Sequence, residues 1–288
     1  MFTAENVLAL GCKLGEGPIW NHREQKLYFV DILQNTIHRY HPASDVHEKT
    51  VFDVETCAMG FRKNGGLVVA TKKHIAYWDG ESTNLDYLLE KEADWPDNRF
   101  NDGATDRQGR FWIGTMNSNN PVGNLYRFDP DQRISTMETG VQISNGIGWS
   151  PDNAIMYYTD SPLKTIYAYD FDAATGAISN RRNHIHTPDE AGTPDGMTVD
   201  SEGYIWSARW GGYNVTRYAP DGSVDRVVEV PAEKVTSVAF GGPDFTDLYV
   251  TSAWVGHSEE QRAKDTQAGD LFRIKVDVPG LPEPDFAG

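Results

Sequence analysis

Six segments of this chain follow one grammar: a turn with Asp, Asn or Gly, then an apolar run ending on a polar residue. They occupy 26–31, 66–71, 110–115, 154–159, 204–209 and 247–252. Their first apolar residues fall at 27, 67, 111, 155, 205 and 248, at intervals of 40, 44, 44, 50 and 43 residues. After each comes a turn and a second alternating segment, at 36–40, 74–78, 124–128, 165–169, 214–218 and 270–274. Period-two alternation between turn signals is the mark of a half-buried strand. A unit of this length cannot bury its own apolar face, and stacking of such units around an axis solves that problem. The pattern predicts an all-β chain, a six-bladed β-propeller with one four-stranded antiparallel sheet per blade.

No linker rich in Pro, Ser or like charges divides the repeats, so residues 1–288 read as a single domain. The last unit has only three visible strands. An apolar run at 5–13 precedes the first repeat, and this N-terminal strand is expected to complete the last blade and close the ring. An acidic-basic stretch at 258–267 interrupts the last unit; it is expected to decorate a channel rim or to form a plain surface loop.

Charge narrows the partners. The formal net charge of −16 opposes binding to nucleic acid or to an anionic membrane surface. Two cysteines, Cys12 and Cys57, make no disulfide framework. The first ten residues lack a basic region and a long apolar run, so they do not read as a signal peptide. A cytoplasmic protein, monomeric or weakly self-associating, is the expectation. The sequon at Asn214 is then without consequence.

The innermost strand of each unit should precede its repeat. Counting back ten or eleven residues from each anchor reaches Glu16, Cys57, Asn101, Asn145, Asp195 and Ser237. Core positions favour Val, Ile or Ala, yet four of these six carry a carboxylate or amide oxygen. A glycine closely follows each, giving the backbone freedom to turn sharply. Glu16, Asn145 and Asp195 would bring two negative charges and a neutral oxygen to one axis. Unpaired, those carboxylates would repel and resist burial; one divalent cation relieves both penalties. Oxygen ligands suit Ca²⁺, the favoured ion, or Mg²⁺ and Mn²⁺, with Zn²⁺ and Fe²⁺ also open. The alternative is that these residues simply hydrogen-bond strand ends around the channel.

These segments resemble a known family. Residues 14–20 (Leu-Gly-Glu-Gly-Pro-Ile-Trp), 98–103 (Asn-Arg-Phe-Asn-Asp-Gly), 144–146 (Ser-Asn-Gly) and 194–200 (Pro-Asp-Gly-Met-Thr-Val-Asp) are similar to the regucalcin/gluconolactonase-like lactonases, the senescence marker protein family. The resemblance covers nearly the whole chain. It implies a six-bladed propeller with one channel metal that hydrolyses sugar-acid lactones. Carried over by position, it implies Glu16, Asn145 and Asp195 as metal ligands, Asn101 as a contact to the metal site or substrate, and Arg99 as a binder of substrate hydroxyls. Some members carry a Glu shortly after a Gly-Thr-Met; here Gly114-Thr115-Met116 is followed by Asn117, Ser118, Asn119 and Asn120. That departure leaves the sugar open among glucono-, xylono-, arabinono- and galactonolactones. Arg209-Trp210-Gly211-Gly212 points more closely towards bacterial pentonolactonases.

The expected chemistry follows. Lactone hydrolysis builds negative charge on the carbonyl oxygen, which a Lewis acid stabilises. Asp195 is the expected base for the attacking water, with hydroxide held by the ion as the competing nucleophile. Two rivals stand: a calcium-dependent ester or organophosphate hydrolase on the same scaffold, and a non-enzymatic calcium-binding regulator. Elsewhere, His184 and His186 read as solvated surface, Cys57 as a small buried filler and Cys12 as a structural residue of the closing strand. The tryptophans read as inter-blade packing. No nucleophile elbow, phosphate loop or dinucleotide fingerprint is present in the sequence.

Overall fold

The computed structural model describes residues 2–288 and is all-β apart from one six-residue helix and two single 3₁₀ turns. Every expected repeat is a strand: Lys26–Asp31, Leu67–Thr71, Phe111–Met116, Ile155–Asp160, Ile205–Trp210 and Asp247–Ala253. Each pairs antiparallel with an inner strand before it and another strand after it.

The inner strands are Gly15–Asn21, Thr56–Phe61, Arg99–Thr105, Ser144–Trp149, Thr193–Val199 and Lys234–Gly241. Each packs on the next, and Lys234–Gly241 packs back on Gly15–Asn21, so the inner strands form a closed circle. Four sheets are separate and four-stranded. Two further four-strand units join into one eight-stranded sheet through a single residue pair, Trp210 with Lys234. The sheets are blades of a propeller-like fold.

Local sequence explains the hairpins. In 106–112 and 200–206 an Asp is followed six residues later by Trp. Asp106 accepts the backbone N–H groups of Gln108 and Arg110 through Oδ1, and the Trp112 indole N–H through Oδ2 at 2.9 Å. Asp200 does the same for Glu202, Tyr204 and Trp206. One carboxylate thus satisfies the turn and anchors the aromatic that fills the space between sheets. Trp112 packs edge-on against Trp149 and Phe171.

The N-terminal strand does close the last sheet, but over Ala4–Leu8 rather than 5–13, paired with Leu271–Lys275. A register shift near its end and the positive φ of Gly11 break the ladder there. Residues 9–13 turn inward, where Asp270 and Asp31 accept the N–H groups of Gly11, Lys13 and Leu14. Cys12 is buried in this connector, not in the closing strand as expected. His184 also departs from its surface reading: it is half-buried, with its ring 5.0 Å from that of Tyr157.

The C-terminal tail has no counterpart in the repeat. Gly280 bridges Asp200, and Phe286 bridges Arg62 and is fully buried against Phe128. Between them, Leu281, Pro282, Glu283 and Pro284 cross one end of the channel. No helix of the described residues is long and apolar enough to cross a membrane.

Candidate metal centre in the channel

All four polar anchor residues lie on inner strands and are buried, from 4% exposure at Asp195 and Asn145 to 6% at Glu16 and Asn101. A common backbone device puts them there. Each inner strand loses register against its partner at the same place: Glu16/Ile19, Thr56/Ala58, Phe100/Gly103, Asn145/Ile147, Pro194/Met197 and Val235/Ser237. A bulge adds a residue to one strand and re-aims the side chains beside it. The polar residues sit at these bulges, next to their glycines. At Gly146 an added Cβ would come within 2.7 Å of the Asp195 carbonyl, and at Gly196 it would meet the Ser237 side chain. Only glycine allows adjacent inner strands this close.

Three inner strands are tied by a side-chain relay. Asn101 Nδ2 donates to Asn145 Oδ1 at 2.8 Å and to the Ser144 carbonyl at 2.7 Å. Asn145 Nδ2 donates to Ser161 Oγ, whose hydroxyl donates to the Pro194 carbonyl next to Asp195. Arg99 donates to Asn101 Oδ1 and to the Phe100 carbonyl. The two amides are therefore in direct contact, with Asn101 orienting Asn145.

The electrostatics are those of crowded carboxylates. Burial first, then Asp102, pushes Glu16 up to about 8, against the Gly17 N–H and the Arg99 charge that lower it. Burial, then Glu16 and Asp102, holds Asp195 well above the usual carboxylate range. Asp102 is itself pushed up to about 6 by burial. Asp195 Oδ1 is buried without a hydrogen-bond partner among the described residues. An orphaned carboxylate oxygen that two other buried carboxylates repel fits a hard divalent cation.

Sequence reasoning missed two features. Asp102 is a third channel carboxylate; its signal was its place beside Asn101 in Asn-Asp-Gly. Ser161 joins the relay from a 3₁₀ turn and carried no signal. Cys57 matches its reading as a buried filler: burial pushes its thiol up to about 12. A cavity of about 100 Å³ lies beside the cluster, lined by Gly17, Asp102, Met197 and the tail residues Leu281–Pro284. Glu16, Asn145 and Asp195 do not line it, but Asp102, which acts on Glu16 and Asp195, does.

Comparison with known proteins agrees with this architecture. The family described as the SMP-30/gluconolactonase/LRE-like region matches residues 14–254. The chain belongs to this family. Pentonolactonase XacC of Haloferax volcanii is 39% identical over 287 residues, covering 98% of this chain and 97% of that protein. A 6-deoxy-6-sulfogluconolactonase of Pseudomonas putida is 37% identical, covering 96% and 95%. The crystal structure of a calcium-binding protein, regucalcin of Agrobacterium tumefaciens, superposes with a TM-score of 0.95 at 29% identity, covering 99% of this chain and 97% of that one. The resemblance read from the motifs is borne out, and with it membership of a lactonase enzyme family.

Proposed function

We propose that the protein is a metal-dependent lactonase that opens an aldono-1,4- or 1,5-lactone to the free aldonic acid. The observation that carries this is the buried all-oxygen cluster of Glu16, Asn145 and Asp195, with Asp195 Oδ1 unpartnered among the described residues. We take residues 1–288 as one six-bladed propeller; the closed circle of inner strands and the single-pair join between the last two units support that count. Relatives named as pentono- and sulfogluconolactonases support a sugar-acid lactone as substrate.

Glu16, Asn145 and Asp195 would hold one divalent ion, Ca²⁺ first, with Mg²⁺, Mn²⁺, Zn²⁺ and Fe²⁺ as alternatives. When bound, the ion supplies the positive charge that polarises the lactone carbonyl. Asp195 takes a proton from water as the water oxygen bonds to the carbonyl carbon. The ring C–O bond then breaks, and the proton passes to the departing ring oxygen, which becomes the product hydroxyl. Asn101 holds the Asn145 amide in place. Arg99, whose charge reaches Glu16 and Asp195, binds a ring hydroxyl and steadies Asn101.

The test is hydrolysis of a panel of pentono- and hexonolactones by metal-stripped protein, with each ion added back. Metal-dependent opening of one aldonolactone is the expected result. Hydrolysis of hydrophobic esters in preference, or calcium binding with no turnover of any lactone, would move the function to an ester hydrolase or a calcium-binding regulator.

A further inference from the structure

The insertion between strands Asp247–Ala253 and Leu271–Lys275 is built around one buried imidazole. The His257 side chain is fully buried, at 0% exposure, and neither ring nitrogen has a hydrogen-bond partner among the described residues. Its Nε2 lies 3.3 Å from Glu233 Oε2. Asp265, which ends the short helix Glu259–Lys264, accepts the Glu233 backbone N–H through Oδ2 at 2.8 Å. One ligand atom from each of the three residues lies within 4.8 Å of the other two.

A neutral imidazole has one donor and one acceptor, and burying both unmatched is unfavourable. The nearby cation does not resolve this. Lys234 Nζ donates to the Val255 carbonyl and sits 5.2 Å from the Trp210 ring centroid, forming no ion pair with either carboxylate among the described residues. An ion bound at Nε2 gives that nitrogen its partner and leaves Nδ1 alone unmatched among the described residues. Tetrahedral bonds of about 2.0–2.1 Å place neighbouring ligand atoms roughly 3.3 Å apart, which is the Nε2 to Oε2 spacing found here. Glu233, with 29% of its side chain exposed, leaves a path for entry.

We propose that Glu233, His257 and Asp265 form a second cation site, for a borderline transition ion such as Zn²⁺ rather than Ca²⁺. An imidazole with two carboxylates suits Zn²⁺, whereas Ca²⁺ takes six to eight oxygens. The site lies at the end of the molecule where the inner strands begin, since Glu233 immediately precedes Lys234–Gly241. Its ligands flank the helix Glu259–Lys264 on both sides, so the ion pins the insertion to the rim.

The experiment uses the full chain stripped of metal. Zn²⁺ uptake is counted by equilibrium dialysis and elemental analysis for wild type, His257→Gln and Glu233→Gln, with circular dichroism as the fold control. Wild type should take up one more Zn²⁺ per chain than either variant, and Zn²⁺ should raise the Tm of wild type more than that of either variant. His257→Gln should keep its Ca²⁺ uptake and its lactone turnover, which separates this site from the channel cluster. Equal Zn²⁺ uptake in all three proteins overturns the site. A second readout compares spectra: pulsed EPR of wild type with one equivalent of Cu²⁺ should show a directly bound imidazole nitrogen that His257→Gln lacks, and the same imidazole signal in both proteins overturns the site. None of the channel ligands is a histidine, so an oxygen-only spectrum also overturns it.

Discussion

The channel cluster and the rim cluster solve different problems with similar acids. In the channel, Glu16, Asn145 and Asp195 stand buried on inner strands at equivalent bulges, with Asn145 fixed by a relay of amides and a hydroxyl. At the rim, Glu233, His257 and Asp265 come from a strand start and an irregular insertion, and Glu233 remains partly open to solvent. Enclosed oxygen donors on rigid strands favour a hard ion held for chemistry. A loop-mounted imidazole with two carboxylates favours a borderline ion that orders a segment. If both proposals hold, rigidity and donor type, rather than negative charge as such, separate the two sites.

The largest effect that would test this contrast is at Asp195. Asp195→Ala should lower kcat for the best lactone by about 10²–10⁴-fold with the fold intact by circular dichroism. Turnover that survives with metal present would break the contrast, because the channel would then be no more reactive than the rim.

In the absence of metal, the channel carboxylates should make stability depend on pH. Glu16 is held up to about 8 and Asp102 to about 6, whereas unfolded carboxyls titrate near 4. Between about pH 4 and 8 the folded chain therefore binds protons that the unfolded chain has released. Their contribution is fully present below about pH 4 and is lost as pH rises towards 8. With chelator, Tm should fall between about pH 6.5 and 8, above the range in which His38, lowered to about 3 by burial, gives the opposite slope; added Ca²⁺, by favouring the ionised carboxylates, should raise Tm most at the alkaline end. A Tm in chelator that stays flat with pH would mean that the carboxylates are not crowded in solution.

The smallest effect is at Arg99. Arg99→Ala removes a charge-assisted hydrogen bond worth about 1.5–3 kcal/mol, and it should raise KM by about tenfold or more while kcat changes little. A fall in kcat at constant KM would instead mean that Arg99 acts through Asn101, holding the relay rather than the substrate.

How much of this was legible in the chain depends on whether it repeated. Strands at His74–Trp78 and Asn214–Tyr218 stand where period-two alternation put them, because burial of one sheet face imposes that period locally. Glu16, Asn101, Asn145 and Asp195 could be found by counting, since equivalent positions in equivalent units face the same axis. The N-terminal strand was foreseen but overlong, because an apolar run does not reveal where Gly11 and two aspartates will turn it inward.

By itself, then, the sequence determined the alternation of strands and turns, the spacing of the units and the oxygen-bearing positions at the starts of the inner strands. These are short-range matters of hydrophobic period, turn chemistry and residue type. Only the tertiary structure decided that those residues are buried at bulges, that Asn101 grips Asn145, and that the tail between Gly280 and Phe286 borders the channel cavity. It also brought His257 within reach of Glu233, 24 residues earlier in the chain. Such contacts join positions with no common period, so they exist only once the circle of sheets has closed.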